Sequence, residues 1–110
     1  MTVTIEDFQK LEMRVGKIVE VNELPATRKP SFLLTIDFGP LGTRRSVAAL
    51  KTDYPPEELR EAQVVCVLNF PPRRIVDVDS EVLVLAATEA DGRLRLLQPD
   101  SEAELGSRIT

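Results

Sequence analysis

The sequence predicts an all-β protein: a small closed barrel of five or six strands with two short helices, in a single domain spanning residues 1–110. Three observations carry that prediction. Phe32, Leu34, Ile36 and Phe38 recur with the period of two that marks a half-buried strand. Two short runs, VVCVL at 64–68 and VLVLAA at 82–87, are almost continuously apolar. Turn residues punctuate the chain at the short intervals that suit a small barrel. A β-sandwich accounts for the periodicity almost as well.

Taken in order, TIEDFQKL predicts a short helix. Thr4 can cap it, Asp7 stands at the fourth capping-box position, and Ile5, Phe8 and Leu11 recur at helical spacing. MRVGKIVEV then alternates as a strand, with Met13, Val15, Val19 and Val21 on one face, and Gly16 marks a bulge or sharp bend. LPATRKP breaks the pattern and reads as a loop, and FGPLGT, after the Phe32–Phe38 strand, reads as a turn. RRSVAAL is a third strand, with Ser46, Ala48 and Leu50 on one side and Val47 and Ala49 on the other.

YPPEELREA reads as a helical turn, prolines at its start and acids in its first turn. QVVCVLN and SEVLVLAA follow as apolar strands. Asp91-Gly92 in TEADG turns the second of them into RLRLLQP, and the tail SEAELGSRI is polar apart from Leu105 and Ile109. Continuous apolar strands imply cover on both faces, by the barrel interior on one side and by a helix, the tail or a second subunit on the other.

Composition narrows the function. At 43% apolar and 29% charged the chain is ordinary for a folded soluble protein. A chain of this size buries only about 65% of its unfolded surface, so pairing with a second copy is a natural supplement. No run approaches the roughly 20 apolar residues that span a bilayer, and the acidic start MTVTIEDFQK lacks a signal peptide's basic region, so a cytoplasmic protein without membrane insertion is expected. One cysteine, Cys66, rules out an internal disulfide and a multi-cysteine zinc site. With no histidine and no glycine-rich phosphate loop, no metal, cofactor or catalytic activity is expected. The net charge of −4 weighs against a dedicated nucleic-acid binder, unless a local basic patch rides on an acidic body.

NFPPRRI, residues 69–75, stands out because it places two arginines behind two prolines between the most apolar runs. In the plain reading Arg73 and Arg74 sit in a surface turn and pair with Asp77, Asp79 or Glu81, contributing about 0–1 kcal/mol. In the functional reading Pro71 and Pro72 stiffen the loop so that the guanidinium forks project beside the barrel mouth and grip a carboxylate or phosphate. Asn69 either caps the strand end or orders a ligand backbone. Ser80 is a turn residue or a hydroxyl donor into the same groove. Lys51 could add charge to the rim, and Phe32 is core by its strand position or a lesser contact.

Two stretches carry a family resemblance over nearly the whole chain. EMRVGKIVEV resembles the opening strand of the tRNA-binding oligonucleotide/oligosaccharide-binding (OB) domain family, whose start runs close to D-x-R-V-G-K-I; Glu12, Arg14, Val15, Gly16, Lys17 and Ile18 match it. VLNFPPRRIVDVDSEVLVLAA resembles the second signature of that family, with Asn69, Arg73, Arg74, Ser80 and Glu81 at matching positions. Within the family, NFPPRRI, SEVLVL, KTDYPPEEL and the closing LLQPD…LGSRI are most similar to the small export-related chaperones of the CsaA type.

The resemblance implies a five-stranded OB barrel with a short N-terminal helix, a short inter-strand helix and C-terminal additions. It implies a non-catalytic homodimer that binds unfolded or precursor polypeptides for protein export, in a groove containing Asn69, Arg73, Arg74, Ser80, Glu81, Lys51 and Phe32. The export machinery is a further candidate partner. The alternative is tRNA binding at the same face, with Arg14, Lys17, Lys51, Arg73 and Arg74 on phosphates. Departures from the tRNA-binding pattern favour the chaperone: Val82-Leu83 replace Gly-Met, Leu24-Pro25-Ala26-Thr27 replaces His-Pro-x-Ala-Asp, and aromatic rings that could stack bases are few.

Overall fold

The computed structural model describes residues 1–24 and 27–110, so Pro25 and Ala26 of the expected loop lie outside the described residues. The chain folds as the all-β architecture expected of it. β1 (Met13–Leu24), β2 (Ser31–Asp37), β3 (Thr43–Ala48), β4 (Gln63–Val67) and β7 (Leu83–Val84) form one curled sheet in the order β3-β2-β1-β4-β7. Two hairpins stand off it: β5 (Arg73–Ile75) with β6 (Val78–Ser80), and β8 (Ala86–Thr88) with β9 (Leu94–Leu96).

The helices form where their caps predict. α1 (Ile5–Gln9) has the full capping box: Asp7 N–H donates to Thr4 Oγ1 at 3.1 Å and Thr4 N–H donates back to Asp7 Oδ2 at 3.2 Å. α2 (Pro56–Leu59) has proline in its first turn and is anchored by Leu59, which is wholly buried.

Alternation on β2 sends Phe32, Leu34 and Ile36 inward, and Phe38 follows them into the core just past the strand end. Ser46 and Ala48 of β3 and Val64 and Cys66 of β4 are buried on either side. Burial pushes the Cys66 thiol up to about 12, so it is an unreactive core residue.

β1 departs from the expected pattern. Its register shifts between Ile18 and Glu20, and that bulge swaps the faces: Ile18 joins the core with Val21, while Val19 is exposed. Gly16 therefore marks no bulge of its own. It is buried where a Cβ would meet Ile36 Cγ2 and Phe38 Cε1, each at 2.6 Å, so β1 crosses the core too closely for any side chain. The start of β1 has β4 on one side and the C-terminal arm on the other. Gly106 N–H donates to Val15 O, Val15 N–H to Ser107 O, and Ile109 N–H to Met13 O, at 2.8, 2.9 and 3.0 Å. A tail that reads as merely polar thus completes the sheet.

The larger departure is the segment expected to run as one strand from Ser80 to Ala87. Ser80 belongs to β6, β7 pairs with β4 through only two residue pairs, and β8 leaves the sheet to pair with β9. Among the described residues of one chain no helix or tail segment covers the outer face of this run, and Leu83 is 47% exposed. The arginines of NFPPRRI lie on a hairpin rather than in an irregular turn, with Val76 and Asp77 at positive φ (48° and 64°) making its two-residue turn.

Candidate functional site

β3 is the outer strand of the curled sheet, and residues 80–82 join its free edge. Arg45 N–H donates to Glu81 Oε1 at 2.8 Å, Glu81 N–H donates to Arg45 O at 2.8 Å, and Val47 N–H donates to Ser80 Oγ at 2.9 Å. Ser46, buried, donates its hydroxyl to Val82 O at 2.8 Å. These bonds close the barrel on the β3 side and hold the β5–β6 hairpin over it. They also define the roles of Ser80 and Glu81, whose side-chain oxygens accept backbone N–H groups of β3 at the edge of the site.

A groove runs beside this seam. Its central depression, about 460 Å³, has a floor of Val47, Ala48, Ala49, Leu50, Leu83, Val84 and Leu94, walled by Ile75 and Val76 of the hairpin. Arg28, Lys29 and Arg73 line it, and no carboxylate does. Through Val47, Arg73 and Leu83 it passes into a depression of about 240 Å³ that adds Phe70, Pro71, Ser80, Glu81 and Val82. Through Lys29, Ala49 and Leu94 it passes the other way into one of about 460 Å³, bordered by Thr52, Asp53, Asp91 and Arg93. An apolar floor with a local excess of cations on a net acidic chain is suited to an extended ligand with apolar groups and negative or polar backbone atoms.

The two arginines separate here. Successive residues of a strand face opposite sides, and Arg73 lines the groove, whereas Arg74 does not. Arg74 Nη1 instead meets Asp79 Oδ1 at 3.2 Å on the exposed side, the surface pair of the plain reading. Among the described residues Arg73 forms no ion pair.

Other expected contacts have other occupations. The amide of Asn69 is spent on backbone: Oδ1 accepts from Glu12 N–H at 2.9 Å and Nδ2 donates to Lys10 O at 2.7 Å. It staples the start of the NFPPRRI segment to the N-terminal arm. Phe32 is 2% exposed, a core ring and not a groove contact. Lys51 sits 5.9 Å over that ring and pairs with Glu23 at 3.0 Å, away from the groove lining. Arg14 binds Gly106 O at 3.0 Å and Glu12 Oε1 at 3.2 Å, fastening the C-terminal arm. Lys17 pairs with Glu61 at 3.1 Å, and that carboxylate raises its pKa. Neither Arg14 nor Lys17 lines the groove, so the structure does not gather the five expected phosphate contacts on one surface.

Replacing Asn69 with alanine is expected to remove both bonds and lower stability by about 1–3 kcal/mol, read by urea denaturation. Ligand affinity of the folded variant should stay within about twofold of wild type, because this side chain faces the N-terminal arm.

The groove lining that sequence reasoning passed over comprises Arg28 and Lys29, hidden in a stretch read only as a loop, and the apolar Val47, Phe70, Leu83 and Leu94. The available signal was the unbroken apolar character of residues 82–87, which left outward-facing side chains without cover.

A curled five-stranded sheet closed around a core, carrying a lined groove beside its outer strand, defines an OB-type binding domain. The chain belongs to the family described as "Putative tRNA binding domain", whose model matches residues 13–108. It is 39% identical over 107 residues to the methionine–tRNA ligase of Porphyromonas gingivalis, covering 97% of this chain and 15% of the ligase. The chain therefore spans only about 15% of the length of that curated relative. The crystal structure of the chaperone CsaA from Bacillus anthracis matches with a TM-score of 0.93 and 40% identity, over 100% of both chains. That of the CsaA chaperone from Picrophilus torridus matches with a TM-score of 0.91 and 41% identity, over 99% of this chain and 100% of that one. This chain is a CsaA-type member of the tRNA-binding domain family.

Proposed function

We propose that the protein is a CsaA-like molecular chaperone that binds unfolded or precursor polypeptides for protein export, as a cytoplasmic homodimer and without catalysis. The observation that carries this reading is the groove: an apolar floor of Val47, Leu83 and Leu94 under a rim of Arg28, Lys29 and Arg73. The floor takes apolar side chains that a folded client would bury, and the guanidinium and ammonium groups take carboxylates and backbone carbonyls. The end-to-end match to two CsaA chaperones supports the same reading. Two such grooves on one dimer would engage a single extended chain with avidity greater than either site alone, while each contact stays weak enough to release it.

The second reading, tRNA binding at the same groove, is favoured by the family description and by the similarity to a methionine–tRNA ligase. Three cations around one depression could meet phosphates. Fluorescence anisotropy with a labelled, reduced and unfolded polypeptide and with labelled tRNA separates the two, run at about 50 and 200 mM salt, across which multi-phosphate binding loses orders of magnitude. Polypeptide binding that varies little with salt, with tRNA bound weakly or not at all, is the expected result. Tight tRNA binding that collapses across that range, with the polypeptide unbound, would replace the chaperone reading.

A further inference from the structure

The outer edge of β3 is only partly occupied. At Arg45 both backbone groups are paired with Glu81, and at Val47 the N–H is held by Ser80. In an antiparallel ladder the N–H and C=O of one residue point to the same side, so the Val47 carbonyl also faces outward. Among the described residues it accepts no hydrogen bond outside the ladder. The N–H of Ala49, next in the same alternation, is likewise without a partner. The chain turns there through Leu50 N–H donating to Ala48 O at 2.8 Å. Both open groups lie where the groove passes, since Val47 is shared by its first two depressions and Ala49 by the central and third.

We propose that the groove holds its ligand as an added β-strand: an extended polypeptide whose backbone donates to Val47 O and accepts from Ala49 N–H. This rests on the polypeptide-binding reading above and names how that polypeptide is held. A C=O and an N–H flanking one residue are the pair a parallel neighbour uses, through a single ligand residue opposite Ala48. An antiparallel neighbour can use the same two groups through the ligand residues either side of the one opposite Ala48, but its next bond would need Val47 N–H, which Ser80 already holds. Ligand side chains then alternate, so apolar residues at every second position reach Leu83 and Leu94, and an acidic residue reaches Arg73. Phosphate groups only accept hydrogen bonds, and would satisfy the cations of the rim but not Val47. Such recognition takes affinity from the main chain and only loose preference from side chains, as a protein with many clients requires.

The test is an N-methyl scan of a fluorescein-labelled nine-residue peptide of alternating leucine and serine with one central aspartate, measured by anisotropy against the full chain. N-methylation at one or two alternate positions should weaken binding at least fivefold, and methylation at the intervening positions should change it less than twofold. An Ala49→Pro variant supplies the second arm. The turn after β3 is a three-residue turn centred on Ala49, which is not among the positive-φ residues, so proline's fixed φ suits it. That variant should keep the wild-type melting temperature and bind the parent peptide at least fivefold more weakly. If the parent peptide binds and every N-methyl position is tolerated within twofold, strand addition is wrong and the groove reading survives. If wild type does not bind the parent peptide at all, the polypeptide reading falls and takes strand addition with it.

Discussion

Replacing Gly16 with valine is expected to destabilise the protein by about 3 kcal/mol, the upper end of the range for overpacking a core. Even a lone Cβ at this position would stand 2.6 Å from both Ile36 Cγ2 and Phe38 Cε1, and 2.9 Å from Phe38 Cδ1. Ile36 and Phe38 are wholly buried, so neither can swing aside without displacing the rest of the core. Valine suits a strand by propensity, which makes the substitution diagnostic: a local β-preference account predicts a neutral or stabilising change. A fall in melting temperature of about 10 °C or more, measured by circular dichroism, is expected. An unchanged melting temperature would mean that β1 does not cross the core where the structure places it.

Arg73→Glu and Arg74→Glu are expected to differ sharply although the residues are neighbours. Arg73 lines two depressions of the groove and forms no ion pair among the described residues, so its reversal puts a carboxylate where the ligand's negative groups would lie. Charge-assisted hydrogen bonds contribute about 1.5–3 kcal/mol, so polypeptide affinity should fall ten- to hundredfold. Arg74 is on the outer side, paired with Asp79, both exposed. Its reversal forfeits a surface pair of about 0–1 kcal/mol and should leave affinity within about twofold. Anisotropy titrations of the two folded variants decide it, and equal losses would mean that the hairpin binds through charge alone without a preferred face.

Much of the fold was legible because its signals are local. The Thr4–Asp7 capping box, the alternation from Phe32 to Phe38 and the Asp91-Gly92 turn each depend on residues a few positions apart, and each appears where expected. What misled were features decided by partners far along the chain. Gly16 reads as a bulge in isolation, and only Ile36 and Phe38 reveal that it marks a close crossing. The apolar run at 82–87 reads as one strand, but β4 pairs with only two of its residues before the chain leaves for β9, and Leu83 lines the groove.

The site shows the same division. A motif names residue positions but not what each side chain does. Asn69, Ser80 and Glu81 hold backbone of the N-terminal arm and of β3, Phe32 fills the core, and Arg14 and Lys17 are committed to intramolecular partners. Only Ser80 and Glu81 of these border the groove. Of the two arginines that the sequence could not tell apart, only the pleat of β5 decides which one lines the groove. Arg28 and Lys29 reach the groove through a loop whose course no periodicity records.

The claim that the groove beside β3 is where polypeptide binds is tested most directly by a chemical-shift titration. Uniformly ¹⁵N-labelled protein would be mixed with an unlabelled, unfolded peptide and its backbone amides followed. The largest changes should map to Val47, Ala49, Arg73, Leu83 and Leu94, with Ala49 N–H moving downfield as it gains a carbonyl partner, and the amides around Arg14 and Lys17 should hardly move. Changes centred on Arg14, Lys17 and the C-terminal arm, with the groove amides still, would contradict the account and place binding on another face of the barrel.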